Sequence, residues 1–250
     1  MVIASWNIFG IQSHSDSLRF AFNSLNPNIF CIQEVKTSED KCDIQFEGYQ
    51  RYWNSGIRTN DNGVAIYTRL TPLSVSYDEC PDYHCPDGRI IILEYEQFYL
   101  LCTYVPYSNC TQGLEYRIRW NAYYKHLIHS LQEHKPVICC GDHNIVRSPI
   151  DCWDGKYERN KGCFYPVEHK DFEILMLEEQ LTDVFRYLHP NDEGFTYWPF
   201  NPKSARASNQ GYRIDYFLAS NKLLSQIKDC YPLQSILGAC NCPILLDIMV

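Results

Sequence analysis

The sequence lacks the features of a membrane or secreted protein. It also lacks the positive net charge of a uniformly basic nucleic-acid binder. No apolar run approaches the about 20 residues of a transmembrane helix. The opening residues, VIASWNI after Met1, show neither the basic region nor the small-residue cleavage site of a secretory signal. Positive charge is also scarce, because 22 Lys and Arg stand against 30 Asp and Glu and give a net charge of −8. This balance argues against a uniformly basic nucleic-acid binder, although a local basic rim around an acidic site stays compatible with it.

The chain also has no short-period repeat, no low-complexity segment and no linker. Its 250 residues, 45% of them hydrophobic, are enough to bury a substantial core. These features favour a single domain over residues 1–250.

Cysteine, in contrast, is abundant, with 13 residues. In a small secreted protein this number would indicate disulfides, but the length and the opening residues favour an intracellular, reducing compartment. We expect most thiols to be small buried apolar groups, since several lie in apolar runs. The pair Cys240 and Cys242 invites a zinc hypothesis, which we consider weaker because a structural zinc needs four ligands and no matching CxxC pair exists.

Several predicted strands end in an oxygen-bearing side chain. The run Val137 to Cys140 stops at Gly141 and is followed by Asp142 and Asn144. The run Val2 to Ile8 carries Asn7, the run Ile29 to Ile32 leads to Glu34, and the run 212–218 has Asp215 in its middle. Strand ends are where α/β proteins build their sites.

Further periodicities predict the remaining elements. Helices are expected from Asp16 to Leu25, around 114–131 and from Val167 to Gln180. In the second helix, Leu114, Ile118, Leu127 and Leu131 mark the expected buried face, with Arg117 away from it. Strands are expected at 48–53, 63–68 and 73–77, in a hairpin over 88–105 that turns at Glu96, and at 244–249, whereas 181–185 is expected to be irregular.

The five oxygen-bearing residues together have the character of a site for a hard cation. Mg²⁺ or Mn²⁺ takes one or two protein carboxylates and leaves room for water and substrate phosphate. This pattern predicts metal-assisted hydrolysis of a phosphodiester or phosphomonoester. The alternative is that each side chain caps its own turn, which is more plausible for any one of them than for all five.

The segments SWNIFGI, CIQEVK, YVP, GDHN and RIDYFL, in this order, resemble the endonuclease/exonuclease/phosphatase superfamily. EYRIRW and FTYW narrow the resemblance to apurinic/apyrimidinic (AP) endonucleases of the exonuclease III type, and SPIDCWD is most similar to the eukaryotic Ape2/Apn2 branch. The resemblance covers nearly the whole chain. It implies an α/β fold, a four-layer sandwich of two mixed sheets face to face between helices, as in DNase I.

The same resemblance implies an enzyme of base excision repair that uses Mg²⁺, with Mn²⁺ as a substitute, and acts as a monomer. Its partner would be double-stranded DNA with abasic or 3′-blocked sites, without a membrane, and its place the nucleus if the source is eukaryotic. Incision, 3′-end trimming and 3′-phosphodiesterase activity stay open alternatives.

The site residues that the resemblance implies fall into three groups. Glu34 is the principal metal ligand, with Asn7 beside it and Cys240 at the position of a further ligand. The catalytic group consists of Asp142, Asn144, Tyr104, Asp215 and Asn241. The substrate-binding group consists of Tyr197, Trp198, Tyr212, Ile214, Lys36, Arg206 and Tyr107, and Arg117 and Arg119 are further candidates for a DNA groove.

The chain departs from the family pattern where the family carries Ser-Asp-His, because Ala239, Cys240 and Asn241 stand there. An amide supplies a donor but no positive charge, and sulfur is a poor ligand for Mg²⁺. In addition, Phe9 and Tyr107 replace polar residues, and Gln12 stands where arginine is common. We therefore expect severely reduced cleavage.

Three explanations of these departures stay open. The first is a slow enzyme, and the second is a pseudonuclease that binds DNA or a protein without cutting. The third is an introduced exchange of histidine for its near-isostere Asn241. Phe9 and Tyr107 favour natural divergence for at least part of the pattern.

Overall fold

The computed structural model describes residues 1–57, 59–77, 87–157 and 159–249. In chain order, the strands of these ranges are β1 (Val2–Asn7), β2 (Ile29–Gln33), β3 (Gln50–Asn54), β4 (Val64–Thr68), β5 (Ser74–Tyr77), β6 (Ile90–Glu94), β7 (Tyr99–Tyr104), β8 (Val137–Asp142), β9 (Leu181–Asp183), β10 (Asp215–Ser220), β11 (Ile227–Pro232) and β12 (Ile244–Ile248). The α-helices are α1 (Ser15–Leu25), α2 (Thr111–Gln132), α3 (Pro166–Glu178) and α4 (Val184–Leu188). Short 3₁₀ turns cover Glu39–Lys41, Pro149–Asp151 and Asn221–Gln226.

The strands form two mixed sheets. The order in the first sheet is β11-β12-β1-β2-β4-β3, and in the second it is β5-β6-β7-β8-β10-β9. The pairs β1/β2 and β7/β8 are parallel, whereas the other pairs are antiparallel. Central strands such as β2 and β4 are buried on both faces, which explains their nearly continuous apolar sequences.

The two sheets pack face to face and helices cover their outer faces. Ile29 and Ile66 of the first sheet share one apolar cluster with Leu100 and Ile138 of the second. A second cluster lies under α1, and a third lies between the second sheet and the helices α2 and α3. The resulting four layers confirm the predicted α/β sandwich. None of the helices in the described ranges combines the length and the apolar character required to cross a bilayer.

Most predicted elements are confirmed, but the buried face of α2 is only partly the predicted one, since Leu127 and Leu131 pack against the core as partly buried residues. The side chains that α2 buries are Arg117, Trp120, Tyr124 and Ile128, while Ile118 is exposed. Arg117 can be buried there because carbonyl oxygens of the loops after β7 and β8 accept its hydrogen bonds. The periodicity of aliphatic residues therefore found part of the inner face but missed the residues that the helix buries most fully.

Three further differences concern the second half of the chain. The stretch expected to be irregular at 181–185 contains β9 and the start of α4, and β11 was not predicted. Asp215 begins β10 rather than lying in the middle of its strand, which places its carboxylate at an edge of the sheet.

The strand ends converge at that edge. In the parallel pairs, Asn7 lies opposite Gln33 and Tyr104 lies opposite Asp142. In the antiparallel pair of β8 and β10, Asp142 lies opposite Asp215. The pairing of the strands thus brings together polar groups that are far apart in sequence.

Candidate active site

Asn7 joins the two sheets at the site. Its amide nitrogen donates to Glu34 Oε1 at 2.8 Å and to Asp142 Oδ2 at 2.8 Å. Its amide oxygen accepts from the backbone N–H of Phe9 at 3.1 Å. All three side chains Asn7, Glu34 and Asp142 are buried. One amide therefore holds two carboxylates from different sheets in a fixed relationship.

Glu34 is also held from the outside, by Lys36. The ammonium of Lys36 lies 2.8 Å from Glu34 Oε2 and 3.3 Å from the centre of the Phe9 ring. Phe9, Glu34 and Lys36 all have φ near +52°, a left-handed conformation that costs free energy for residues with side chains. The hydrogen bonds from Gly10 N to Glu34 O and from Ile11 N to Val35 O lock the two loops in this conformation.

Asp142 and Asp215 form a buried acidic pair. Burial and then the charge of Asp215 raise the pKa of Asp142 well above its ordinary value. Burial raises the pKa of Asp215 to about 7, with the charge of Glu34 acting in the same direction. Both shifts have the same principal cause, which is the burial of two carboxylates opposite one another.

The last residues of β8 and the loop that follows pack closely against β7 and the residues after it. Gly141 has φ of +138°, and a Cβ there would lie 1.9 Å from the carbonyl oxygen of Thr103. Asn144 N donates to Asp142 Oδ1 at 2.9 Å, and the Asn144 amide donates to the carbonyl of Val105 at 2.9 Å. Only glycine at 141 permits this turn, which fixes the direction of the Asp142 carboxylate.

Arg117 of α2 supports the loop after β8 through hydrogen bonds to its backbone. Its guanidinium donates to Pro106 O at 2.6 Å, His143 O at 2.8 Å and Asn144 O at 3.3 Å. The side chain is 2% exposed, so the prediction that Arg117 lines a DNA groove is wrong. It instead ties the loop after β7 to the loop after β8.

Tyr104, at the end of β7, is a buried neutral phenol. Burial, followed by the charges of Glu34 and Asp142, raises its pKa well above the ordinary value. The hydroxyl therefore keeps its proton and can donate to a phosphate oxygen.

Asn241 closes the site at the side of the first sheet. Its amide donates to Asp215 Oδ2 at 2.9 Å, and its backbone carbonyl accepts from the Trp6 indole at 3.0 Å. The neighbouring Cys240 is partly buried, and burial raises the pKa of its thiol. All 11 cysteines in the described ranges are free thiols, whereas Cys80 and Cys85 lie outside those ranges.

These groups surround a cavity of about 980 Å³. Most of the predicted site residues line it, namely Asn7, Glu34, Tyr104, Tyr107, Asp142, Asn144, Tyr197, Trp198, Arg206, Tyr212, Ile214, Cys240 and Asn241. Asp215 and Lys36 are not among the lining residues. Asp215 contacts the lining residue Asn241, and Lys36 contacts the lining residue Glu34. The structure thus brings the predicted set together, while the role assigned to each residue stays a prediction.

Two of the predicted substrate-binding residues also have structural partners. Arg206 donates to the carbonyls of Ala239, Gln234 and Ile236 at 3.0, 3.0 and 2.9 Å, and its guanidinium lies over the Trp198 ring. Trp198 is 3% exposed and donates to Asn209. Arg206 therefore positions the loop that leads to Cys240 and Asn241.

The wall formed by Tyr212 and Ile214 rests on a buried charge network. Between them, Arg213 donates to Asp151 at 2.7 Å and to Asp183 at 3.0 and 2.6 Å. Arg186 adds a second donor to Asp151 at 2.7 Å. Sequence reasoning missed this network because its members are separated along the chain and carry no motif of their own.

Other lining residues were also missed or not assigned a role in binding. Those without a sequence prediction include His14, Phe164, Lys161, Phe200 and Lys203. Phe9 was noted only as a departure from a family pattern, and its exposure on the cavity was not foreseen. A single aromatic or lysine in a loop gives no local signal of the cavity that it faces.

The donor set agrees with a divalent cation that keeps most of its water. Glu34, Asp142 and Asp215 lie near one another where the strands of the two sheets end, and among the described residues Lys36 forms its ion pair with Glu34. Within the described ranges no group of three His, Cys, Asp or Glu side chains is arranged so that it could hold a metal ion. A site with one principal carboxylate and open positions suits Mg²⁺, which binds through one or two carboxylates plus substrate phosphate.

The chain belongs to the endonuclease/exonuclease/phosphatase family, whose model matches residues 4–234. An exodeoxyribonuclease of Bacillus subtilis is 34% identical over 256 residues, covering 100% of both chains. The DNA repair nuclease APEX1 of Danio rerio is 33% identical over 261 residues, covering 100% of this chain and 83% of the relative.

A solved structure of the catalytic domain of APE2 from Xenopus laevis is also similar, with a TM-score of 0.84. It is 22% identical, and the match covers 99% of this chain and 91% of that one. At this identity the likeness shows the fold alone. The assignment to the Ape2/Apn2 branch therefore stays a prediction, whereas membership in the family is confirmed.

Proposed function

We propose that this protein is a divalent-metal-dependent phosphodiester hydrolase that acts on damaged DNA in base excision repair. The observation that carries the proposal is the bridge of Asn7 between Glu34 and Asp142, because it places a metal-binding carboxylate and a proton-handling carboxylate on one cavity. The exodeoxyribonuclease and the repair nuclease among its relatives support DNA as the substrate. Abasic and 3′-blocked sites in double-stranded DNA are the proposed substrates, and the protein is proposed to act as an intracellular monomer.

Glu34 would hold the metal, with Asn7 orienting its carboxylate. When bound, Mg²⁺ or Mn²⁺ would supply Lewis-acid stabilisation of the charge on the scissile phosphate. Cys240 contributes little affinity for Mg²⁺, because a thiol is a soft ligand. The amide oxygen of Asn7 already accepts from Phe9 N, which makes orientation of Glu34 its better-supported role.

Asp142 would handle the proton of the attacking water. Its pKa is raised well above the ordinary value, chiefly by burial, and a raised pKa makes a carboxylate a stronger base toward the proton of water. Asn144 fixes Asp142 through its backbone N–H, and the neutral Tyr104 hydroxyl can donate to the phosphate.

We further propose that cleavage is severely reduced. Asn241 can donate one hydrogen bond to a phosphate oxygen, but it brings no positive charge, and its amide is already engaged by Asp215. Loss of a charge-stabilising donor of this kind costs about a hundredfold to a thousandfold in rate.

The second candidate is a pseudonuclease that binds DNA without cutting it. The pairing of Lys36 with Glu34 at 2.8 Å favours it, since the ammonium partly satisfies the carboxylate that a metal would need. Both candidates predict DNA binding, and they differ in the response to metal.

The decisive experiment incubates the protein with duplex DNA that bears a stable abasic analogue, with Mg²⁺ or Mn²⁺. A Cys240→Asp/Asn241→His double variant is assayed in parallel, with a Glu34→Gln version of each as the metal-site control. Slow cleavage by the native chain that increases at least about a hundredfold in the double variant supports the hydrolase. Binding without cleavage by either supports the pseudonuclease, and absence of DNA binding by both contradicts the whole proposal.

A further inference from the structure

Three exposed aromatic side chains line the active-site cavity. Phe9 is 56% exposed, Tyr107 is 48% exposed and Phe200 is 68% exposed. Exposed aromatic rings in a polar, phosphate-binding site leave apolar surface in contact with water. A ligand with a flat apolar face would remove that surface from water.

Phe9 is held in place at a cost in backbone free energy. Its φ of +52° is unfavourable for a bulky residue, and its exposed ring gains little from packing against the protein. The Asn7 side chain nevertheless accepts from Phe9 N at 3.1 Å, and Gly10 N donates to Glu34 O at 2.7 Å. The ring is therefore presented beside Glu34, with the Lys36 ammonium 3.3 Å from its centre.

Tyr107 is held in place by Gly162. A Cβ at Gly162 would lie 2.4 Å from Cε2 of Tyr107 and 2.6 Å from the carbonyl oxygen of Ser108. Any side chain at 162 would displace the ring, so the glycine permits the contact that fixes it. Tyr107 also follows Pro106, whose carbonyl is bound by the buried Arg117.

The cations at the cavity are few, and two are already engaged. Lys36 pairs with Glu34, and Arg206 donates to three backbone carbonyls. Lys161 and Lys203 also line the cavity. In a chain with a net charge of −8, attraction to phosphates is a weak source of affinity, and stacking on aromatic rings has to contribute more.

We infer that Phe9 and Tyr107 form a stacking platform for an unpaired DNA base next to the scissile phosphate, so that the protein prefers sites flanked by unpaired nucleotides. This inference rests on the proposed function and specifies the substrate of the same site. A paired base is stacked on its neighbours and cannot offer its face to the rings, whereas an unpaired base can do so at little cost. Phe200 is a further exposed aromatic residue in the lining of the same cavity.

The test compares two DNA duplexes that differ only in what stands opposite the nucleotide beside an abasic analogue. This nucleotide is 2-aminopurine, paired with thymine in one duplex and left opposite a gap in the other. Binding is measured in EDTA by anisotropy, and stacking by quenching of the 2-aminopurine fluorescence. We expect the native chain to bind the unpaired form about tenfold more tightly and to quench its fluorescence, since stacking of one base on an aromatic ring gives about this factor.

The variants separate stacking from general effects. Phe9→Ala and Tyr107→Ala should each reduce the preference severalfold, whereas Tyr107→Phe, which keeps the ring, should retain it. Phe9→Leu, which is apolar but not aromatic, should behave like Phe9→Ala. Phe20→Ala is the matched control, because Phe20 is 61% exposed but lies on α1 outside the cavity lining.

Equal affinity of the native chain for both duplexes, or an unchanged preference in both alanine variants, would overturn the inference. The proposed function would survive that result if the paired duplex is still bound. Failure to bind either duplex would overturn both, so the two failures are distinguishable.

Discussion

The amide of Asn241 donates to Asp215 Oδ2 at 2.9 Å, while Asp215 Oδ1 is buried and has no hydrogen-bond partner among the described residues. A carboxylate with one satisfied and one unsatisfied oxygen is costly to ionise in a buried site. Burial therefore raises the pKa of Asp215 to about 7, against the opposing effect of the hydrogen bond from Asn241. It also couples the stability of the protein to pH.

The first prediction concerns that coupling. A carboxyl whose folded pKa exceeds its unfolded pKa binds more protons in the folded state, so it stabilises the fold at low pH. We expect the difference in unfolding free energy between the native chain and Asp215→Asn to shift against the native chain as pH rises from about 4 to about 7, by at most about 1.4 kcal/mol per pH unit.

Urea unfolding in EDTA at several pH values measures this difference. The comparison removes the opposite contribution of His143, whose pKa burial lowers to about 4, because both proteins carry it. The exposed Asp43→Asn serves as the control and should show no such trend. A pH-independent difference for Asp215→Asn would contradict the prediction.

The second prediction concerns Glu34. Glu34→Gln removes the carboxylate charge and leaves the Lys36 ammonium unpaired beside the cavity. We expect the affinity for Mn²⁺, measured by electron paramagnetic resonance, to fall by more than about a hundredfold. Loss of a residue that only supports a metal ligand lowers metal affinity by up to about a hundredfold, so a larger fall indicates a direct ligand. Glu47→Gln, at an exposed position, removes the same charge and should leave the affinity for Mn²⁺ unchanged. An equal loss of affinity in both variants would refute a specific role of Glu34.

The third prediction concerns Asn7. Asn7→Ala removes the donor shared by Glu34 and Asp142, which leaves two buried carboxylates without that hydrogen bond. The unfolding free energy should fall by about 1–3 kcal/mol. Asn7→Asp should cost more, since it adds a third charge between two carboxylates. Chemical denaturation with Gln45→Ala as an exposed control measures both effects, and a smaller loss for the aspartate variant would argue against the bridge.

Strand ends and motifs made much of the fold and site predictable. Apolar runs that end in Asn7, Glu34 and Asp142 carried local signals, and the parallel pairs β1/β2 and β7/β8 bring them to one edge. The residues that hold the loops of the site in place could not be predicted in this way. Arg117 in α2 has the pattern of a solvated cation, yet three backbone carbonyls from two loops bury it. Such contacts exist only after distant loops meet, and no local periodicity encodes them.

The last prediction concerns Arg206 as a positioning residue. Its guanidinium spans the carbonyls of Gln234, Ile236 and Ala239, a geometry that the single ammonium of lysine cannot reproduce. Arg206→Lys and Arg206→Ala should both loosen the loop before Cys240, with amide hydrogen exchange over 234–241 accelerated by about tenfold or more, equivalent to at least about 1.4 kcal/mol of local stability. Lys203→Ala is the matched control, because it removes a cation that lines the same cavity. It should weaken DNA binding without accelerating exchange over 234–241. If instead Arg206→Lys leaves exchange unchanged and weakens binding only as Lys203→Ala does, Arg206 acts as a phosphate contact and not as the support of the loop.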